Sequence, residues 1–130
     1  MIAHLTSLRS LECTVFAFRR EDQWEELADA LSSVRSRPKE IVIRMQLIIR
    51  KPYKGVWILK RLLGEMRAQL LDTALEQKAF GDLGALVFVA FGCPSWNLYP
   101  HSLMDLLQVL RKKLPKTHSR YNVTASAELE

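Results

Sequence analysis

From residue 41 to residue 49 the chain alternates, with Ile41, Ile43, Met45, Leu47 and Ile49 at the odd positions and Arg44 and Gln46 among the even ones. Successive side chains of a strand point to opposite faces, so a period of two predicts a strand with one buried face. Ala85-Leu86-Val87-Phe88-Val89-Ala90-Phe91 is apolar throughout and is bounded by Gly84 on one side and by Gly92 and Pro94 on the other. That run predicts a short strand in a sheet covered on both faces. A third strand is expected at Cys13-Thr14-Val15-Phe16-Ala17-Phe18.

Helical spacing lies between these runs. After Glu21 and Asp22, the residues Trp24, Leu27, Ala28 and Leu31 recur at i, i+3, i+4 and i+7, and the acidic start suits a helix N-terminus. Val56, Leu59, Leu63, Met66 and Leu70 make an apolar stripe that predicts a long helix from about Gly55 to Lys78. A last helix is expected from an N-cap at Ser102, burying Leu103, Leu106, Leu107 and Leu110 and ending in Arg111-Lys112-Lys113 before Pro115.

Strand and helix thus alternate, which predicts an α/β fold: one layered domain over residues 1–115, with a small sheet of three or more strands and about three helices. Strand order and direction stay open at this level. Residues 116–130 show no periodicity and are expected to form a poorly ordered tail. Composition agrees with a folded chain, since 48% hydrophobic residues against 25% charged ones leave enough apolar surface for a core. No apolar run approaches about 18 residues, and the start lacks a cationic segment followed by a hydrophobic block. Neither a membrane span nor a signal peptide is therefore expected, and the chain reads as intracellular, cytoplasmic or nuclear.

Charge adds a second pattern. Residues 1–34 hold three basic and six acidic side chains, whereas residues 35–67 hold ten basic and two acidic. Residues 68–110 return to one basic against four acidic, and residues 111–120 carry five basic and no acidic side chain. Clustered cations raise the local potential where scattered ones cancel, so this map points to a phosphate-rich or acidic partner. Arg35, Arg37 and Lys39 precede the alternating strand, Arg44 projects from its non-core face, and Arg50, Lys51 and Lys54 follow it with Tyr53 among them. These eight residues form the candidate polyanion-binding set, because phosphate neutralisation wants several cations on one surface and an exposed ring can stack a base. A solvated basic surface with Trp57 in the core is the plainer alternative.

Catalytic signatures are lacking. The near pair Gly81 and Gly84 precedes a strand where a phosphate-cradling loop would follow one. Cys13, Cys93, His4, His101 and His118 are scattered, so no metal site and no cofactor is expected. Cys93 ends an apolar strand with His101 eight residues on, the best arrangement for a nucleophile, although a small buried thiol accounts for it as well.

The stretch Glu40 to Pro94 resembles the matrix proteins of rhabdoviruses over under half of the chain. The pieces that carry the resemblance are the strand Ile41 to Arg50, the turn Lys51-Pro52-Tyr53-Lys54-Gly55, the helix Val56 to Lys78 and the strand Gly84 to Pro94. It implies a non-enzymatic protein that self-associates and contacts nucleoprotein, an acidic membrane surface or a host protein. The leading expectation is such a basic α/β protein, matrix-like or accessory. A small RNA-binding or ribonucleoprotein domain and a cysteine-dependent enzyme using Cys93 are the alternatives.

Overall fold

Ile41, Ile43 and Met45 are fully buried and Val42, Arg44 and Gln46 only half-buried, as the alternation predicts. A computed structural model places them in strand β3, and it describes residues 2–5, 10–16, 23–34, 37–46, 68–76, 80–93 and 100–129. The elements in chain order are β1 (Ile2–Leu5), β2 (Ser10–Phe16), α1 (Gln23–Ser32), β3 (Glu40–Gln46), α2 (Ala68–Ala74), β4 (Ala85–Cys93), α3 (Pro100–Lys113), α4 (Pro115–Arg120) and β5 (Asn122–Leu129). Among the described residues the five strands form one sheet in the order β1-β2-β3-β4-β5. β1 runs antiparallel to β2, and β2, β3, β4 and β5 are mutually parallel. The protein is an α/β fold.

Register aligns the buried positions. Leu11, Ile41, Leu86 and Val123 stand side by side across four strands, as do Cys13, Ile43, Phe88 and Ala125. Each parallel crossover steps the same way along the sheet, and right-handed crossovers then put every connecting helix on one face. The core follows that rule, with Leu27, Leu31, Leu71, Leu75, Leu106 and Leu110 of the helical segments packed on the buried strand positions. The other face carries Thr14, Val42, Arg44, Val87, Val89, Phe91, Thr124 and Ser126, and no described helix covers it. On the second face of β4, Val89 is buried and Phe91 lies under the Arg44 guanidinium.

Polar groups fix the helices. The buried amide of Gln23 bonds both backbone groups of Phe16, its Oε1 accepting from the N–H at 2.8 Å and its Nε2 donating to the carbonyl, so the end of β2 is tied to the start of α1. Asp72 on α2, which its spacing to Glu76 suggests is solvated, is instead buried. It accepts hydrogen bonds from Thr117 N at 2.8 Å, Thr117 Oγ1 at 2.6 Å and Lys116 N at 3.2 Å, satisfying the amides that open α4. Tyr121 Oη donates to Leu75 O at 2.7 Å, a second tie from α2 to the same region.

Three further sequence expectations are corrected. The stretch 116–130, read as an aperiodic tail, supplies all but the first residue of α4 and the whole of β5, and β5 joins the same sheet, so the boundary at 115 does not hold. Helix α3 starts at Pro100, where its fixed φ is favourable, and Ser102 lies inside the helix where a cap was expected. Leu70 is exposed, Leu71 and Ala74 supply the apolar face of α2, and Leu75 is buried just after it. The portion of the expected long helix before residue 68 lies outside the described residues.

Candidate functional site

Of the eight candidate cations and aromatics, Arg37, Lys39 and Arg44 fall in described positions, and Arg35, Arg50, Lys51, Tyr53 and Lys54 lie outside the described residues. The three that are placed do different things. Arg44 points to the face that no described helix covers, as the alternation predicts, but it meets carboxylates there. Its two terminal nitrogens grip Glu128 of β5 at 2.8 and 2.6 Å, and its Nε lies 3.2 Å from Glu12 of β2. To reach Glu128 the guanidinium crosses β4 over the Phe91 ring, 4.4 Å from its centroid. With only 24% of its side chain exposed, Arg44 binds four strands together and has its charge matched twice over. It is no member of an exposed basic surface.

Arg37 and Lys39 sit on the segment entering β3, at the end of the sheet where the parallel strands begin. Lys39 is exposed and meets no carboxylate among the described residues, and Arg37 has only a loose pair with Asp82 at 3.8 Å, both side chains being more than half exposed. Backbone bonds then connect this segment to the other basic block. Gly84 N donates to Lys39 O at 2.9 Å, and Asn122 N donates to Gly84 O at 3.2 Å. Because neighbouring strands lie about 4.8 Å apart, the starts of β3 and β5 are about 10 Å apart. The chain immediately before Asn122 is α4, with Lys116, His118 and Arg120 exposed, and α3 ends at the same side in Arg111-Lys112-Lys113.

Two basic blocks some seventy residues apart in sequence therefore converge on one end of the sheet. The strand starts to which they attach stand about one Debye length apart, which is about 10 Å at 0.1 M salt. Acidic side chains temper but do not cancel the cluster: Asp82 is near Arg37, and Glu76 lies 3.4 Å from Lys116. Lys112, His118 and Arg120 are exposed with no carboxylate partner among the described residues. Compensation of a helix dipole accounts for cations in the last turn of α3. Lys39, which is on no helix, has no such explanation.

Cysteine chemistry is weakly provided for. Cys13 is fully buried, and burial together with the nearby Glu12 carboxylate pushes its thiol up from the ordinary 9.0 to about 11. Such a thiol is protonated at neutral pH and is a poor nucleophile. Cys93 closes β4 at the carboxyl end of the sheet, in register with Leu129, and His101 lies in the first turn of α3. Among the described residues no group of three or more His, Cys, Asp or Glu comes together, and no helix is long and apolar enough to cross a membrane. No family model, curated protein or solved structure matches the chain.

Proposed function

We propose that the chain is a non-enzymatic, self-associating basic α/β protein that holds a polyanionic partner against the end of the sheet where the parallel strands begin. The observation that carries this reading is the convergence of Lys39 with Lys112, Lys116 and Arg120 through the backbone ladder Lys39–Gly84–Asn122. Each phosphate that these cations neutralise releases a condensed counterion. The surface belongs to the fold's frame: Asp72 and Tyr121 pin α4 and the start of β5 to α2. Partners that fit are nucleic acid or nucleoprotein and an acidic membrane surface, both of which present phosphate arrays, or an acidic host protein. The resemblance of residues 40–94 to rhabdovirus matrix proteins supports the same matrix-like or accessory reading.

The test is cosedimentation of the wild-type chain with RNA, with vesicles containing anionic lipid and with neutral vesicles. Binding to either anionic ligand that weakens steeply with added salt, with none to neutral vesicles, is the expected result. Equal retention on neutral and anionic vesicles together with no RNA binding would defeat it.

A further inference from the structure

Among the described residues β5 is an edge strand. It pairs with β4 on one side, and among the described residues no strand pairs with its other side. In a strand the N–H and C=O of one residue point the same way and alternate along the chain, so one bond sets the whole pattern. Asn122 N donates to Gly84 O and therefore points to β4. Val123, Ala125 and Ala127 then direct their backbone groups to the open side. Consistent with this, Val123 O accepts 3.3 Å from Arg111 Nη2 of α3 and not from β4. A row of outward amides and carbonyls on an eight-residue strand without proline is a template for another strand.

The sequence of β5 is complementary to itself in the antiparallel register centred on Ala125. About a twofold axis at Ala125, an antiparallel copy places Ala125 opposite Ala125 and Val123 opposite Ala127, and these are the residues whose backbone groups face outward. The same register keeps each buried face on one side, because Val123, Ala125 and Ala127 all lie on the helix-covered face. On the other face it sets Thr124 opposite Ser126, two hydroxyls that can bond, and Glu128 opposite Asn122, so no like charges meet. A register shifted by one residue breaks both conditions at once.

The helix above the edge fits the same picture. Met104 precedes Arg111 by seven residues, so the two share a flank of α3, and Arg111 shows that this flank overlies the open side. Met104 is 66% exposed, and Arg111 Nε is buried with no hydrogen-bond partner among the described residues. An exposed methionine and an unsatisfied guanidinium nitrogen border an unpaired edge. Val123 O has a second lone pair, so it can accept from a new strand while keeping Arg111.

We infer that a second copy of this chain pairs with the open edge of β5, antiparallel about Ala125, to join two five-stranded sheets into one. The inference rests on the self-association in the reading above and names its surface. The closed twofold uses up the open β5 edge on both copies, leaving none to propagate a fibre through it.

Mass in solution tests it, by light scattering or sedimentation over a concentration series, with RNA and anionic-vesicle binding read on the same samples. Ala125→Pro removes an N–H that β4 does not use, and proline is tolerated at edge positions of this kind. The expected result is a wild type at twice the chain mass and an Ala125→Pro variant at the single-chain mass with unchanged circular dichroism. A wild type that stays at the single-chain mass overturns the inference, and this is also the result if the edge pairs with some other extended segment. An Ala125→Pro variant that keeps the doubled mass overturns it while leaving self-association through another surface. Polyanion binding by a monomeric wild type would leave the binding half of the reading standing. Should Ala125→Pro fail to fold, the Thr124→Cys/Ser126→Cys variant decides. Its opposed pairs would lie about 4.5 Å apart between Cα atoms, within disulfide reach. Oxidised dimers beyond those of wild type support the register, and their absence overturns it.

Discussion

Arg44 and Lys39 lie five residues apart in the same basic stretch, yet the fold gives them opposite surroundings. Arg44 reaches across the sheet face opposite the described helices to Glu12 and Glu128 and has become part of the frame. Lys39 sits where β3 begins, in the open, at the same end of the sheet as the start of β5 and one strand away from it. A run of positive charge in a sequence thus measures supply, and the strands decide which charges are matched internally and which remain for a partner. The partner of Arg44 stands 84 residues away and that of Asp72 stands 45 away, so neither assignment could be made from local spacing.

The contrast can be broken most severely at the neighbour of Arg44. Ile43 is fully buried, and Ile43→Asp places an unpaired charge in the core. A buried charge costs several kcal/mol against a total stability of about 5–15 kcal/mol, so cooperative unfolding in denaturant should disappear. Asp72→Ala comes next. It strips the bonds that open α4 and should cost roughly 2–3 kcal/mol by denaturant titration, while also loosening the basic end that α4 helps to build.

Arg44→Ala should cost about 2 kcal/mol, because Glu12 and Glu128 are left without their cation on a partly buried face. Polyanion binding should survive it. Chemistry under the clamp has a pH signature as well. The folded-state pKa of Cys13 is raised from 9.0 to about 11, so its contribution to stability is complete below pH 9 and is lost as pH rises through 11. By pH 10 that loss is about 1 kcal/mol, and the Cys13→Ala protein should lack it when both are unfolded in denaturant at pH 8 and pH 10. The smallest effect on stability belongs to the open cations: reversing Lys39, Lys112 and Arg120 to Glu should shift it by about 1 kcal/mol or less, since all three are exposed and the two in last helical turns lose only dipole compensation.

The parts of the fold written in local periodicity were readable. β3 shows a strict alternation of large aliphatic residues, and Trp24, Leu27, Ala28 and Leu31 of α1 are all buried as their spacing predicts. β5 alternates too, but its inward positions after Val123 are Ala125 and Ala127, whose small side chains give a hydrophobic signal too faint to separate from a polar tail. α4 was hidden by Pro115, which reads as a stop after α3 and in fact stands at the first position of the next helix. For the site, the exposure of Lys39 and the outward face of Arg44 were legible. The ion pairs of Arg44 and the meeting of two distant basic blocks were not, because both are products of strand order.

The most direct measurement is the salt dependence of RNA and anionic-vesicle binding for wild type, for Arg44→Ala and for the Lys39→Glu/Lys112→Glu/Arg120→Glu variant. The logarithm of affinity falls with the logarithm of salt by roughly 0.7–0.9 per neutralised phosphate, so the slope counts the contacts made. The triple variant should bind more weakly with a shallower slope, and Arg44→Ala should keep the wild-type slope. Unchanged affinity and slope in the triple variant for both ligands, or a slope flattened as much by Arg44→Ala as by the triple variant, would contradict the placing of the binding surface at the start of the parallel strands.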